Sequence, residues 1–278
     1  MDRFNMRSIV WLGAHKTGTT FLQRILELSS SILSEHGLSY LPLDAFREKY
    51  TRPLLYRGHT IRPVYPEYNL NFVFDENIPG LVQHALSPSG IYPEVSNRLA
   101  TICEFFEFQC PDIYFGIRNY AGYVPSLYCE ALKSTKFKSF RNFYISDRHQ
   151  LNWVNVVDRI RRVVPGSKIY IYKHEDVRGN EAKLLSTVTG IKRQNFAVPD
   201  NLEREGFSHQ AVQALLAISS EREVARRDVS QSVKKFPKGE RWSSFDPWSE
   251  DERRDLAELY DNHVDLLKKT GDIEWIDL

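Results

Sequence analysis

The chain has 278 residues, 42% of them hydrophobic and 26% charged, with a formal net charge of +1. That length and apolar fraction suffice for one large α/β domain with a sizeable core, and a single domain over 1–278 is expected. The near-zero balance argues against a general nucleic-acid or membrane-surface protein, so any anionic ligand has to be met by local positive groups.

Cys103, Cys110 and Cys129 show no C-x-x-C spacing, which disfavours a disulfide framework or a zinc site. The opening Met1-Asp2-Arg3-Phe4-Asn5 lacks an apolar signal region, and no run approaches the ~20 apolar residues of a membrane span, so a cytoplasmic location is expected.

The first predicted element is the continuous apolar run Ser8-Ile9-Val10-Trp11-Leu12-Gly13, which suits a strand buried on both faces. A Gly/Thr loop follows, then a helix whose apolar face is drawn by Phe21, Leu22, Ile25, Leu26, Leu28, Ile32 and Leu33. Residues 36–70, with Pro42, Pro53, Pro63 and Pro66, read as a long excursion over the sheet rim. Strands are predicted at Asn71–Phe74, ending in Asp75-Glu76-Asn77, and at Ile113–Ile117, ending in Arg118. A helix should start just beyond Arg118, with Pro125 in its first turn. Further on come an amphipathic stretch from Leu151 to Val164, the strand Lys168–Tyr172, and a helix near Asn180–Thr189 stopped by Gly190. Residues 208–229 look helical, a Lys/Gly/Trp loop spans 234–248, and a last helix starts at Ser249 with Glu252 completing a capping box. Repeated strand-then-helix order implies a three-layer α/β/α fold around a mostly parallel sheet.

Gly13-Ala14-His15-Lys16-Thr17-Gly18-Thr19-Thr20 is the informative segment. A glycine-bounded loop between a buried strand and a helix turns backbone N–H groups toward one point at the positive end of the helix dipole. Lys16 adds a movable charge, and Thr17, Thr19 and Thr20 add hydroxyls, which together suit a phosphate or phosphosulfate. The pattern differs from G-x-x-x-x-G-K-[ST], because Thr19 follows Gly18 and the lysine precedes that glycine by two residues.

Lys16-Thr17-Gly18-Thr19-Thr20 resembles the 5′-phosphosulfate loop of sulfotransferases that use 3′-phosphoadenosine 5′-phosphosulfate (PAPS), with His15 where that family usually has proline. Arg118, at a strand end, and Ser126, eight residues later, are similar to the family's pair for the 3′-phosphate. Lys238, Gly239 and Arg241, in a basic loop before the last helix, resemble more loosely the segment that closes over the nucleotide; the family's second glycine is missing. Tyr172-Lys173-His174-Glu175-Asp176 is similar to a further segment, read as structural. The resemblance implies a P-loop NTPase-like sulfotransferase fold and a metal-free transfer that releases 3′-phosphoadenosine 5′-phosphate (PAP). It also implies cofactor contacts from His15, Lys16, Thr17, Gly18, Thr19 and Thr20, with Lys16 neutralising charge on the bridging oxygen.

An acceptor hydroxyl or amine also needs a base. Asp75 and Glu76 end a predicted core strand, where open α/β sheets place ligand crevices, and a glutamate in such a position resembles that of carbohydrate-type and bacterial members. Glu76, Asp75 and a histidine such as His84 stay open for the role. A small-molecule or carbohydrate acceptor is expected from the resemblance. Tyr40, Tyr50, Tyr56, Tyr65 and Tyr68, with Arg52, Arg57 and Arg62, are candidates for its wall. Two alternatives remain: a magnesium-dependent P-loop NTPase or small-molecule kinase with Asp75 as the metal ligand, and a nucleotide-binding module without chemistry.

Overall fold

The computed structural model describes residues 7–56, 70–144, 150–200 and 206–278. Its strands, in chain order, are β1 (Ile9–Trp11), β2 (Phe72–Phe74), β3 (Leu86–Ser87), β4 (Gly90–Ile91), β5 (Asp112–Ile117), β6 (Ile169–Lys173) and β7 (Ile273–Trp275). The longer helices are α1 (Thr19–Leu28), α2 (Val95–Phe105), α3 (Tyr120–Ala131), α4 (Trp153–Val163), α5 (Glu181–Thr189), α6 (His209–Glu221), α7 (Arg226–Lys235) and α8 (Glu250–Lys268). The chain is mixed α/β, with a five-stranded, wholly parallel sheet in the order β2-β1-β5-β6-β7, flanked by helices. The strands β3 and β4 form a separate antiparallel hairpin. Among the described residues no helix is long and apolar enough to cross a membrane.

Contacts group into two compact units that alternate along the chain. The first comprises Met1–Arg118, Asn152–Asp200 and His263–Leu278; the second comprises Asn119–Leu151 and Asn201–Asn262. The sheet belongs to the first. Its strands are apolar on both faces, as burial on both sides of a parallel sheet demands. Trp11 stacks on Phe74 at 4.3 Å, and its Nε1 donates to the buried Tyr172 hydroxyl at 3.0 Å. Leu22, Ile25 and Leu26 of α1 and Leu184, Leu185 and Val188 of α5 pack into the same cluster. Gly116 is required beneath Tyr172, since a Cβ there would stand 2.6 Å from the ring.

Several boundaries shift for identifiable reasons. The apolar stripe from Phe21 to Leu33 is broken at Ser29, whose hydroxyl accepts from the Ala197 N–H at 3.0 Å; a short second helix, Ser30–Glu35, follows. Leu28, counted with the buried face, is 43% exposed. The 208–229 stretch is two helices, because Arg222 turns extended and forks onto Asp228 at 2.7 and 2.8 Å. Pro125 is a correction: it lies inside α3, six positions from the start, rather than in the first turn. The carbonyl such a proline leaves without its helical donor is that of Ala121, four residues earlier. Trp248 Nε1 donates to it at 2.9 Å. The excursion after residue 36 holds helical turns over Leu43–Phe46 and Arg52–Leu55, joined by a π-turn at Arg47–Thr51.

Candidate functional site

In parallel strands every carboxyl end lies at one edge of the sheet. The neighbours β2, β1, β5 and β6 therefore deliver Glu76, the loop over residues 13–20, Arg118 and His174 to the same edge of the first unit. Gly13 (φ 53°), Lys16 (φ 66°) and Gly18 (φ 82°) all adopt the left-handed region, so the loop coils tightly before α1 begins at Thr19. Only Lys16 among them carries a Cβ, in a conformation that is uncommon for such residues. A Cβ on Gly13 would meet Thr19 Cγ2 at 2.7 Å and stand 3.9 Å from Glu76 Cβ, which places Glu76 beside the loop's first residue.

The loop's side chains divide between inside and outside. Thr17 and Thr19 are buried, and Thr17 Oγ1 donates back to the Ala14 carbonyl at 2.6 Å, closing the turn from beneath. His15 is also buried: its N–H donates to Tyr92 Oη at 2.8 Å, and its ring Nδ1 lies 2.8 Å from the same hydroxyl. The amide of Asn77, oriented with Nδ2 toward His15 Nε2 at 3.1 Å, turns its oxygen to Arg47 and to the Tyr56 hydroxyl. The outward face is formed by Lys16, Gly18 and Thr20. The N–H groups of Phe21 and Leu22 turn back onto the Gly18 carbonyl at 3.1 and 3.4 Å.

Arg118 closes on the loop. Its Nη1 donates to the Lys16 carbonyl at 2.7 Å, while Trp153 Nε1 holds the Arg118 carbonyl at 2.9 Å. His174 completes the corner, its Cε1 and Nδ1 lying 3.7 Å from where a Cβ on Gly18 would be. Its pKa is lowered by burial first and by Arg118 and Lys16 nearby, so the ring is neutral near pH 7. Its Nδ1 is buried with no hydrogen-bond partner.

The two candidate carboxylates differ sharply. Asp75 is fully buried, with Arg47 Nε and Nη2 (3.0 and 2.8 Å) and the Asn77 N–H (2.9 Å) on Oδ1 and Thr51 Oγ1 (2.7 Å) on Oδ2. Burial pushes its carboxyl above the ordinary value, against Arg47 and Thr51. Glu76 takes Arg47 Nη2 at 2.9 Å on one oxygen and Gln23 Nε2 at 3.0 Å on the other, and keeps 13% of its side chain exposed. Burial alone would raise it, but Arg47 and His15 outweigh burial and hold it below the usual glutamate value. Of the two, Glu76 is the carboxylate with an open edge.

No protein-family model and no curated protein matches this chain.

Ser126 lies on α3, which belongs to the second unit, and the exposed Lys238, Gly239 and Arg241 belong to that unit too, between α7 and α8. The Gly239 N–H donates to the Trp242 carbonyl at 3.0 Å, and Arg241 lies over the Trp242 ring at 4.9 Å. His84 is exposed on a 3₁₀ turn. Of the aromatic wall, Tyr50 is packed among Phe46, Phe105 and Phe106, and Tyr40 lies against Phe72. Tyr65, Tyr68, Arg57 and Arg62 fall outside the described residues. Arg47, Gln23 and His174 were not singled out by sequence reasoning. The first two carry no local signal, since their partners at 75 and 76 lie 28 and 53 residues away.

Proposed function

We propose that the chain is a PAPS-dependent sulfotransferase with a three-layer, P-loop NTPase-like fold, moving a sulfuryl group to a hydroxyl or amine of a small-molecule or carbohydrate acceptor. The observation that carries this reading is the meeting of Lys16 and Arg118, 102 residues apart, across 2.7 Å. A lysine-and-amide loop beside an arginine fork offers two anion-recognising groups on neighbouring strands, as a nucleotide with phosphates at both ends of its ribose requires. Arg118 and the loop belong to one unit. Ser126, Lys238, Gly239 and Arg241 enter the proposal through the resemblance alone.

In the reaction, the acceptor oxygen or nitrogen attacks sulfur in line, and the bond from sulfur to the bridging phosphate oxygen breaks. PAP departs with that bond's electron pair, and Glu76 receives the acceptor's proton. Lys16 faces the charge that grows on the bridging oxygen, so electrostatic stabilisation and positioning supply most of the rate. Asp75 holds Arg47, which in turn orients Glu76. The kinase reading needs Asp75 as a metal-side carboxylate, yet both of its oxygens are taken by Arg47, Asn77 and Thr51.

Calorimetry with PAP in chelator, set against ATP with magnesium, tests the donor. Metal-free PAP binding with no response to ATP is expected; the reverse pattern overturns the reading in favour of a kinase. Transfer of radiolabelled sulfate from PAPS to an acceptor panel then separates an enzyme from a module that only binds.

A further inference from the structure

We infer that Arg118 holds the phosphate loop in its binding shape as well as meeting the 3′-phosphate, so that the two ends of the donor are coupled through one side chain. The inference rests on the nucleotide reading proposed above. Lys16 occupies the left-handed region (φ 66°) although it carries a Cβ, so this turn needs support from outside the loop. One such support is the Arg118 guanidinium, whose Nη1 donates to the Lys16 carbonyl at 2.7 Å. Such a bond from a charged donor is among the stronger ones available. Arg118 is itself well anchored for the task. The residue before it pairs in register with Lys173 of β6, and its carbonyl accepts from the Trp153 indole at 2.9 Å. Two further bonds of the loop sit further back: Thr17 to the Ala14 carbonyl, and the His15 N–H to Tyr92. Neither of them fixes the direction of the Lys16 peptide.

The guanidinium presents its donors as a planar fork that suits a phosphate as well as a carbonyl, so one side chain can serve both the loop and the nucleotide. A nucleotide lacking the 3′-phosphate still depends on Arg118, although it never touches it. In this role Arg118 is a positioning residue for the 5′ end.

The test uses two probes, PAP and adenosine 5′-monophosphate, which has no 3′-phosphate, on the wild type, Arg118→Met and Arg118→Gln. Methionine keeps the bulk, and the Trp153 bond survives because it uses the backbone. Arg118→Met is expected to weaken the monophosphate about threefold to tenfold, the range for one hydrogen bond, and PAP by more. Arg118→Gln, whose amide nitrogen ends near the place of Arg118 Nε and so stops short of the Lys16 carbonyl, is expected to weaken the monophosphate as Arg118→Met does, with PAP falling further. Without nucleotide, amide exchange over residues 13–20 should accelerate in both Arg118→Met and Arg118→Gln. If Arg118→Met weakens PAP alone and leaves loop exchange unchanged, Arg118 is only a ligand and the coupling is wrong while the nucleotide reading stands. If the wild type binds neither probe, the nucleotide reading falls and the coupling with it.

Discussion

At Glu76 two opposing effects meet, and their balance fixes the chemistry available to it. Desolvation pushes the carboxyl up, but Arg47 at 2.9 Å, with His15 nearby, pulls it below the ordinary value of 4.5. A base must be deprotonated to act, so turnover should stay flat as pH falls from 7 to 5 and drop only as pH passes down through that depressed value. A histidine base would instead lose activity near its ordinary value of about 6.5. The pH dependence of kcat decides; a limb between 6 and 7 moves the role to a histidine. Glu76→Ala should cut turnover by ~10²–10⁴ with PAP affinity unchanged. His174 supports a second measurement. Burial and the cations Arg118 and Lys16 hold its pKa down, so an anion arriving at the loop relieves part of that penalty and raises it. PAP binding should therefore take up a proton increasingly as pH falls from 7.5 toward 6. Calorimetry in buffers of different ionisation enthalpy reads this directly, and binding without proton uptake would place the ligand away from His174.

Among the elements, α3 shows a local rule overridden by a distant partner. A proline in a helix interior orphans the carbonyl four residues back, and Trp248, 127 residues away from Ala121, supplies the donor. Trp248→Phe should cost about 1–2 kcal/mol, since it leaves that carbonyl unsatisfied. In a Pro125→Ala background the helix has its own N–H for Ala121, so the same substitution should cost less. Thermal or chemical unfolding of the four proteins gives the coupling, and strict additivity would mean the indole bond is idle. The last helix follows local rules throughout. Its capping box was legible because both members lie within one turn: the Ser249 N–H donates to Glu252 at 2.8 Å, and the Glu252 N–H donates to Ser249 Oγ at 3.2 Å. Arg141 and that cap hold Glu252 at about 2, so the cap's contribution is present above pH 4.5 and lost as pH falls toward 2. The buried strands β1, β2, β5 and β6 were legible for a similar reason, each being a short apolar run. Edge strand β7, Ile273-Glu274-Trp275, was missed because it is short and alternates. The turns that place Arg47 and Thr51 on Asp75 were hidden in a proline-rich stretch with no helical period.

For the whole molecule, what the sequence concealed is the neighbourhood of its strands. The loop, Glu76 and Arg118 each carry a local signature, whereas His174 reaches Gly18 only because β6 lies next to β5 and β5 next to β1. The two interleaved units are equally invisible in composition, since the chain crosses between them at residues 118–119, 151–152, 200–201 and 262–263 without any change of character. The near-neutral net charge has a thermodynamic consequence for binding. With no strong global field, the proposed polyanionic nucleotide would be held by a few local cations, and its affinity should fall modestly with salt. Saturation at 100 times Kd then stabilises the folded state by ~2.7 kcal/mol, a rise in Tm of roughly 5 °C for a chain of this size. Because binding acts only on the state that holds the loop and Arg118 together, the rise should shrink for Lys16→Ala and for Arg118→Met at the same PAP concentration. ATP with magnesium should leave Tm unchanged. A rise with ATP and magnesium but none with PAP would remove the donor assignment, and the roles given to Lys16 and Glu76 would go with it.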